Sequence, residues 1–188
     1  MPVRVPVATF APDRSQRRCA ARNARVETRI VAALRDEEHL ALYQRYLAAR
    51  HPLGGMDDHG AVQFDQFLAG SWSDTRFLEI RRKSATGLSE LLAVAVTDLV
   101  DGALSAVYTF YDPEDHASYG TYNVMWQIEQ ARSLGLPHVY LGYWIQESTK
   151  MNYKARFTPH EIRVANTWIC PPDHQASGRP SHHRNFTR

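Results

Sequence analysis

Six consecutive apolar residues, Leu91-Leu92-Ala93-Val94-Ala95-Val96, leave this stretch without a polar face. Side chains alternate across a strand, so such a run is buried on both sides only at the centre of a sheet covered above and below. The chain must therefore supply neighbouring strands and at least two covering layers. The turn Val100-Asp101-Gly102 joins a strand over residues 90–99 to a second over 103–111 as an antiparallel hairpin, and residues 77–81 form a third.

The remaining segments read as follows. Residues 1–12 hold three prolines and no periodic pattern and are an extended lead-in. Asp13 or Ser15 caps a short basic helix reaching about Asn23, and a loose alternation through Val26, Thr28 and Ile30 marks a first strand over 26–34. Asp36-Glu37-Glu38 starts a helix with acids against its positive end. Leu40, Tyr43 and Leu47 recur at helical spacing until Arg50-His51-Pro52. A Gly54-Gly55 loop precedes a shorter amphipathic helix over 62–68. After the hairpin, a polar loop over 112–119 leads to a helix capped by Ser118 or Thr121, with Val124, Met125, Ile128 and Ala131 as its apolar stripe and Gly135 with Pro137 as its stop. A strand over 138–145, a short basic helical segment and a last strand near 162–169 follow.

Antiparallel strands interrupted by single crossover helices give an α+β (mixed α/β) protein with a mixed central sheet flanked by helices. The order is similar to that of the N-acyltransferase fold, whose sheet splays open where acyl donor and acceptor meet. The division is a basic lead-in and helix over 1–24, an acyltransferase-like domain over 25–170, and a tail over 171–188. That tail has no Ile, Leu, Val or Met and is expected to be disordered.

With 188 residues and 44% hydrophobic content, one globular domain is expected. No apolar run nears the ~20 residues of a membrane helix and the start has no secretory pattern, so the expected compartment is the cytoplasm and no membrane partner is expected. Cys19 and Cys170 are far apart, and nine histidines show no ligand spacing, so no metal and no cofactor is assigned. The net charge is +2, yet residues 1–30 carry seven arginines against Asp13 and Glu27. Arg14, Arg17, Arg18 and Arg22 on the short helix can neutralise phosphates, or can be a solvated basic face.

The densest chemical cluster is Tyr140-Leu141-Gly142-Tyr143-Trp144-Ile145 with Glu147, Lys150, Tyr153, Lys154 and Arg156. On a strand, Tyr140, Gly142 and Trp144 face one way and Leu141, Tyr143 and Ile145 the other. On a following helix, Lys150 and Lys154 share a face, and two adjacent ammonium groups suit an anion between them. Arg156 can grip the same carboxylate or phosphate in bidentate fashion. The alternative is an exposed basic helix beside an aromatic core strand. Asp57 and Asp58 follow a Gly54-Gly55-Met56 loop and serve either a cation or amine, or a turn. Asp98 ends the central strand, where a sheet's polar edge opens, as a candidate base or amine-binding group; turn amides at Asp101-Gly102 are its other partners. The run Tyr108-Thr109-Phe110-Tyr111 lines a pocket or fills the core. Ala117-Ser118-Tyr119-Gly120-Thr121-Tyr122 lacks the glycine-rich turn of an acyl-CoA enzyme, which counts against a CoA donor.

Several ordered motifs then carry a family resemblance. Leu104-Ser105-Ala106-Val107-Tyr108-Thr109-Phe110-Tyr111-Asp112-Pro113, Gly120-Thr121-Tyr122-Asn123 with Trp126-Gln127-Ile128-Glu129, and Tyr140-Leu141-Gly142-Tyr143-Trp144-Ile145 are three of them. Lys150-Met151 with Tyr153-Lys154-Ala155-Arg156-Phe157, Gly54-Gly55-Met56-Asp57-Asp58, and Ser71-Trp72-Ser73-Asp74-Thr75-Arg76-Phe77 complete the set. Together they resemble bacterial aspartate/glutamate leucyltransferases, relatives of the arginyl-tRNA–protein transferases, over about residues 2–158. The resemblance implies transfer of leucine from leucyl-tRNA to the amino terminus of proteins beginning with Asp or Glu, which marks them for degradation. Leucyl-tRNA and such proteins are then the partners, and DNA is not. Arg14, Arg17, Arg18 and Arg22 would meet the tRNA. Tyr143, Trp144, Lys150, Tyr153, Lys154, Arg156, Asp57 and Asp58 would meet substrate, with Asp98 as a weak base.

Members of that family carry cysteines in a segment before the stretch matching Pro2-Val3-Arg4-Val5-Pro6-Val7. This sequence lacks that segment, so no metal function of those cysteines carries over. Two other readings stay open: a shortened, inactive relative that binds tRNA or acidic amino termini, and, more distantly, a CoA-dependent N-acetyltransferase.

Overall fold

The computed structural model describes residues 1–50, 60–69, 73–83, 87–145, 147–148 and 151–171. The strands are β1 (Pro2–Pro6), β2 (Glu27–Ala32), β3 (Asp74–Lys83), β4 (Ser89–Val100), β5 (Ala103–Tyr111), β6 (His138–Tyr143), β7 (Glu161–Val164) and β8 (Thr167–Ile169). The helices are α1 (Arg14–Arg22), α2 (Glu37–Arg50), α3 (Ala61–Leu68) and α4 (Tyr119–Ser133), and a 3₁₀ turn spans Asn152–Arg156. All eight strands join one sheet in the order β2-β3-β4-β5-β6-β1-β7-β8. Every neighbouring pair is antiparallel except β5 and β6. This is the mixed α/β architecture expected from the element order.

The run Leu91–Val96 is fully buried, as its composition demands. Its side chains enter two different cores, and a bulge at Leu92 interrupts their alternation. Leu91, Val94 and Val96 pack with Phe77 and Phe110 under Leu42, Tyr43 and Leu47 of α2 and Phe64 and Leu68 of α3. Leu92 and Ala93 pack with Ile80 against Tyr119, Tyr122 and Trp126 of α4. A third cluster fills the space between α4 (Val124, Ile128, Ala131) and Val3, Val5, Val139, Leu141 and Ile162. Thus α2 and α3 cover one face of the sheet, and α4 the other.

Several elements differ from the sequence reading. The proline-rich start, expected as an extended lead-in without periodic pattern, belongs to the sheet: Val3 and Val5 are fully buried, and β1 is an interior strand paired with β6 and β7. Prolines alternate with those valines, so the missing N–H groups weaken the pattern without preventing the pairing. The single strand expected near 162–169 is the β7–β8 hairpin, turned by Ala165 and Asn166 at positive φ. Within the stretch read as a short basic helical segment, Asn152–Arg156 forms a 3₁₀ turn. Trp144 joins the face of Val139 and Leu141, not that of Tyr140. A register shift leaves Leu141 unpaired opposite Val3/Arg4, and Gly142 sits at φ +76°, so the alternation is broken there.

The feature that shapes the site is the short contact between β5 and β6. They pair only over Ala103–Ser105 with His138–Tyr140. Past Ser105, β5 continues to Tyr111 beside β4, with a bulge at Val107, while β6 follows β1. The sheet splits between them.

Candidate active site

The split is lined by Ala106, Val107, Tyr108, Thr109 and Tyr111 of β5, Tyr46 of α2, the start of α4 and Tyr153 of the 3₁₀ turn, enclosing about 400 Å³. We call this the tyrosine cavity. Tyr46 meets Tyr111 and Tyr108 edge-on, with ring centroids 4.9 and 6.2 Å apart. Burial pushes the Tyr46, Tyr108 and Tyr153 phenols above the ordinary range, so at neutral pH they carry their protons and act as donors. The Tyr111 hydroxyl accepts from Arg50 Nη2 at 2.8 Å. Of the aromatic run on β5, Tyr108 and Tyr111 line the cavity and Phe110 is core.

A second space of about 340 Å³ adjoins it, sharing Ser118, Thr121 and Tyr153. Its other walls are Ser15, Gln16, Arg18, Cys19 and Arg22 of α1 with Arg156 and Phe157. Among the described residues, three that bear a guanidinium and none that bears a carboxylate line this arginine cavity. Its geometry follows from how α1 is fastened. Asp13 and Gln16 form a reciprocal capping box at the helix start. Gln16 Nε2 also donates to the Arg156 carbonyl at 3.0 Å, tying the 3₁₀ turn to α1. Asn23 Nδ2 donates to Ala117 O at 2.8 Å, Arg22 Nη1 to His116 O at 3.0 Å, and Cys19 Sγ to Ser118 O at 3.5 Å, tying α1 to the approach to α4. Burial raises the Cys19 thiol pKa, which keeps it a thiol. Ser118 occupies the N-cap position of α4 with φ 62° and makes no side-chain cap. A left-handed residue other than glycine is costly, and such strain tends to sit at functional sites.

The structure separates the residues that the sequence groups together. Lys150, Asp57 and Asp58 lie outside the described residues. Lys154 Nζ donates to the Tyr143 carbonyl at 2.6 Å, and burial lowers its pKa. Trp144 Nε1 donates to Asn152 Oδ1 at 3.2 Å, while Tyr143 is 67% exposed. Arg156 stands with Arg18 and Arg22 rather than with Lys154 around the arginine cavity. Arg14 and Arg17 are exposed on the same helix, Arg17 donating to Pro12 O. Asp98 is not at an opening: it is 3% exposed and accepts from Thr75 Oγ1 at 2.6 Å and Ser73 Oγ at 2.9 Å. It pairs with Ser105, at the closed end of the split, and lines neither cavity. Sequence reasoning missed Tyr46, Thr121 and the docking residues Gln16, Cys19 and Asn23. The last three share a face at helical spacing, but two of them are polar, so the apolar stripe that marks a buried helix face is absent.

Among the described residues no group of three or more His, Cys, Asp or Glu can hold a metal ion. No helix there is long and apolar enough to cross a membrane.

Solved structures share the fold. FemX aligns with a TM-score of 0.56 at 10% identity, covering 83% of this chain and 57% of that one. L-PGS from Bacillus licheniformis aligns with a TM-score of 0.55 at 14% identity, covering 84% and 56%. Sequence relatives are far closer. The aspartate/glutamate leucyltransferase of Stenotrophomonas maltophilia (strain K279a) is 60% identical over 169 residues, 88% of this chain and 67% of its own length. That of Xanthomonas oryzae pv. oryzae (strain PXO99A) is 55% identical over 176 residues, 93% and 70%. The chain thus spans about two thirds of these relatives. The family described as "Arginine-tRNA-protein transferase, C terminus" matches residues 38–164. With a match over most of its length and relatives this similar, the chain belongs to the arginine-tRNA-protein transferase family.

Proposed function

We propose that the chain transfers leucine from leucyl-tRNA to the α-amino group of proteins that begin with Asp or Glu, marking them for degradation in the cytoplasm. The observation that carries this reading is the tyrosine cavity in the sheet's split, continuous with an arginine-lined space, in a chain 60% identical to an aspartate/glutamate leucyltransferase.

The chemistry is aminolysis of an ester. The acceptor amine attacks the leucyl carbonyl, a C–N bond forms, the C–O bond to the terminal ribose breaks, and the ribose oxygen leaves with a proton while the amine loses one. An α-amino group has a pKa near 8, so roughly a tenth is already neutral at pH 7. No Asp, Glu, His or Lys lines either cavity among the described residues. Orientation of two reactants is then the main source of rate. The protonated Tyr46, Tyr108 and Tyr153 phenols can donate to the oxyanion or to the departing ribose oxygen. Lys154, with Lys150, is assigned to the acidic side chain of the acceptor, next to Tyr143 and Trp144; Arg14, Arg17, Arg18 and Arg22 are assigned to the tRNA. Asp57 and Asp58 retain their assignment to the acceptor amine.

The test is purified chain with radiolabelled leucyl-tRNA and peptides beginning with Asp, Glu, Ala or Lys. Label is expected on the first two peptides only. Bound tRNA with no labelled peptide would overturn the transferase reading, as would acetylation from acetyl-CoA in its place.

A further inference from the structure

The arginine cavity has a charge problem that the described residues do not solve. Arg18, Arg22 and Arg156 line one space of about 340 Å³, together with Ser15, Ser118 and Thr121 and, among the described residues, no acidic one. Arg18 and the Arg156 guanidinium have no hydrogen bond or ion pair among the described residues, although the arginines elsewhere on the surface are commonly paired, as Arg35 with Asp65 and Arg82 with Glu90 and Asp115. Arg156 is also held in place on purpose-built wiring, since Gln16 divides its two ends between the helix cap and the Arg156 carbonyl. Three clustered guanidinium groups repel each other unless an anion with several acceptor oxygens lies between them.

We propose that this cavity is a phosphate clamp for the unpaired 3′ end of an RNA chain, with Arg18, Arg22 and Arg156 gripping the phosphate next to the terminal ribose. The proposal rests on the transferase reading and assigns the place of the donor within that site. Two observations favour a nucleic-acid phosphate over the carboxylate of an acceptor. First, a carboxylate is satisfied by one bidentate fork, whereas the charge here continues beyond the cavity: Arg14 and Arg17 lie on the exposed side of the same helix, which carries no acidic residue. That matches a polyanion rather than a single charge. Second, the cavity opens into the tyrosine cavity through Ser118, Thr121 and Tyr153, so a group bound here lies one step from the reacting ester. Tyr153, 43% exposed at that junction, offers a ring face on which a terminal base or ribose can rest.

The experiment compares binding of a deacylated tRNA with the same tRNA trimmed of its unpaired 3′ nucleotides, over a series of salt concentrations. The proteins are wild type, Arg18→Ala, Arg156→Ala, Arg156→Lys and Arg163→Ala, the last a charge-matched control on β7. Wild type is expected to bind intact tRNA more tightly than trimmed tRNA. Arg18→Ala and Arg156→Ala are each expected to weaken intact tRNA about tenfold and to lower the log–log salt slope by about one, while leaving trimmed tRNA and the KM for an Asp-initiated peptide unchanged. Arg156→Lys keeps the charge and loses the fork, so partial recovery is expected. Equal losses on intact and trimmed tRNA, or a raised peptide KM with unchanged tRNA affinity, would overturn the clamp while leaving the transferase reading in place. A wild type that binds neither RNA would overturn both.

Discussion

Glu79 is the buried charge on which the placement of α2 depends, and its removal has a calculable consequence. It lies on β3 with its side chain 1% exposed. It accepts from Arg29 Nε at 2.5 Å, Arg81 Nε at 2.7 Å and His39 Nε2 at 2.7 Å. Arg81 in turn pairs with Glu38, whose carboxylate also accepts from the Leu91 amide, so the first turn of α2 is pinned to β3 and β4. Burial alone would raise the Glu79 pKa; the hydrogen bonds from His39, Arg81 and Arg29 outweigh it and hold the group at about 2, against the ordinary 4.5. A folded pKa below the unfolded one means stability that is present above the unfolded value and lost as pH falls towards the folded one. Each unit is about 1.4 kcal/mol, so the difference corresponds to about 3 kcal/mol, lost between about pH 4.5 and pH 2. Glu79→Gln should cost a similar amount at pH 7, about 3–5 kcal/mol, because His39 and Arg81 lose a buried charged partner. Guanidinium unfolding of wild type and variant at pH 7, 5, 4 and 3 measures both. The gap between the two proteins should narrow steadily below pH 5, as the wild type loses what the variant never had. A gap that stays constant down to pH 3 would refute the reasoning. The site should register the change too, because Tyr46 extends into the tyrosine cavity from this same helix.

Other outcomes follow from the site. Asp98→Asn should transfer leucine at the wild-type rate across pH 6–8, since the carboxylate lines neither cavity; its effect should be a stability loss of about 1 kcal/mol from weakened bonds to Ser73 and Thr75, read by chemical unfolding. Lys154→Ala should raise the KM for Asp- and Glu-initiated peptides more than for tRNA, and because burial lowers the Lys154 pKa, the wild-type preference for acidic acceptors should fade at a lower pH than an ordinary lysine would allow. Gly142→Ala should cost about 1–2 kcal/mol through its φ of +76° rather than through a clash, since the added Cβ meets Lys154 Nζ only at 3.6 Å; at this chain length a melting temperature lower by several degrees would show it.

Most of the fold was legible because its strongest determinants are local. The run at 91–96 can only be a doubly covered strand, Asp101-Gly102 can only turn it, and the caps of α1 and α2 stand where acidic or polar residues precede a helix. β1 was not legible as sheet because its two buried valines alternate with prolines and arginine, too short a pattern to outweigh the missing donors. The β7–β8 turn was hidden for a related reason: Ala165-Asn166 carries no glycine, yet both residues adopt positive φ. The site was less legible still. Its walls come from residues as distant as Ser15 and Phe157, and they meet only because β5 and β6 are parallel neighbours that part after three residues. Spacing alone therefore grouped Arg156 with Lys154, whereas Gln16 ties its backbone to α1.

The same wiring explains how an acyltransferase-like sheet can handle its donor without a glycine-rich turn before α4. Such a turn holds phosphate by pointing backbone N–H groups at it, which requires the loop to be free of other partners. Here the loop is committed: the amides of Ala117 and Thr121 donate to Asp115 Oδ1 and to the Ser118 carbonyl, Gly120 is the only glycine near the start of the helix, and the carbonyls of His116, Ala117 and Ser118 accept from Arg22, Asn23 and Cys19. Those bonds hold α1 against the N-terminus of α4 and set its arginines beside it. In the proposed transfer, anion recognition has moved from fixed backbone amides to guanidinium groups on an adjoining helix. Backbone amides suit one compact pyrophosphate, whereas side chains along a helix suit charges spread along a strand, at the cost of stronger dependence on salt. A donor delivered as tRNA therefore needs α1 in the place it occupies, and the tyrosine cavity needs only to orient the ester that the clamp delivers.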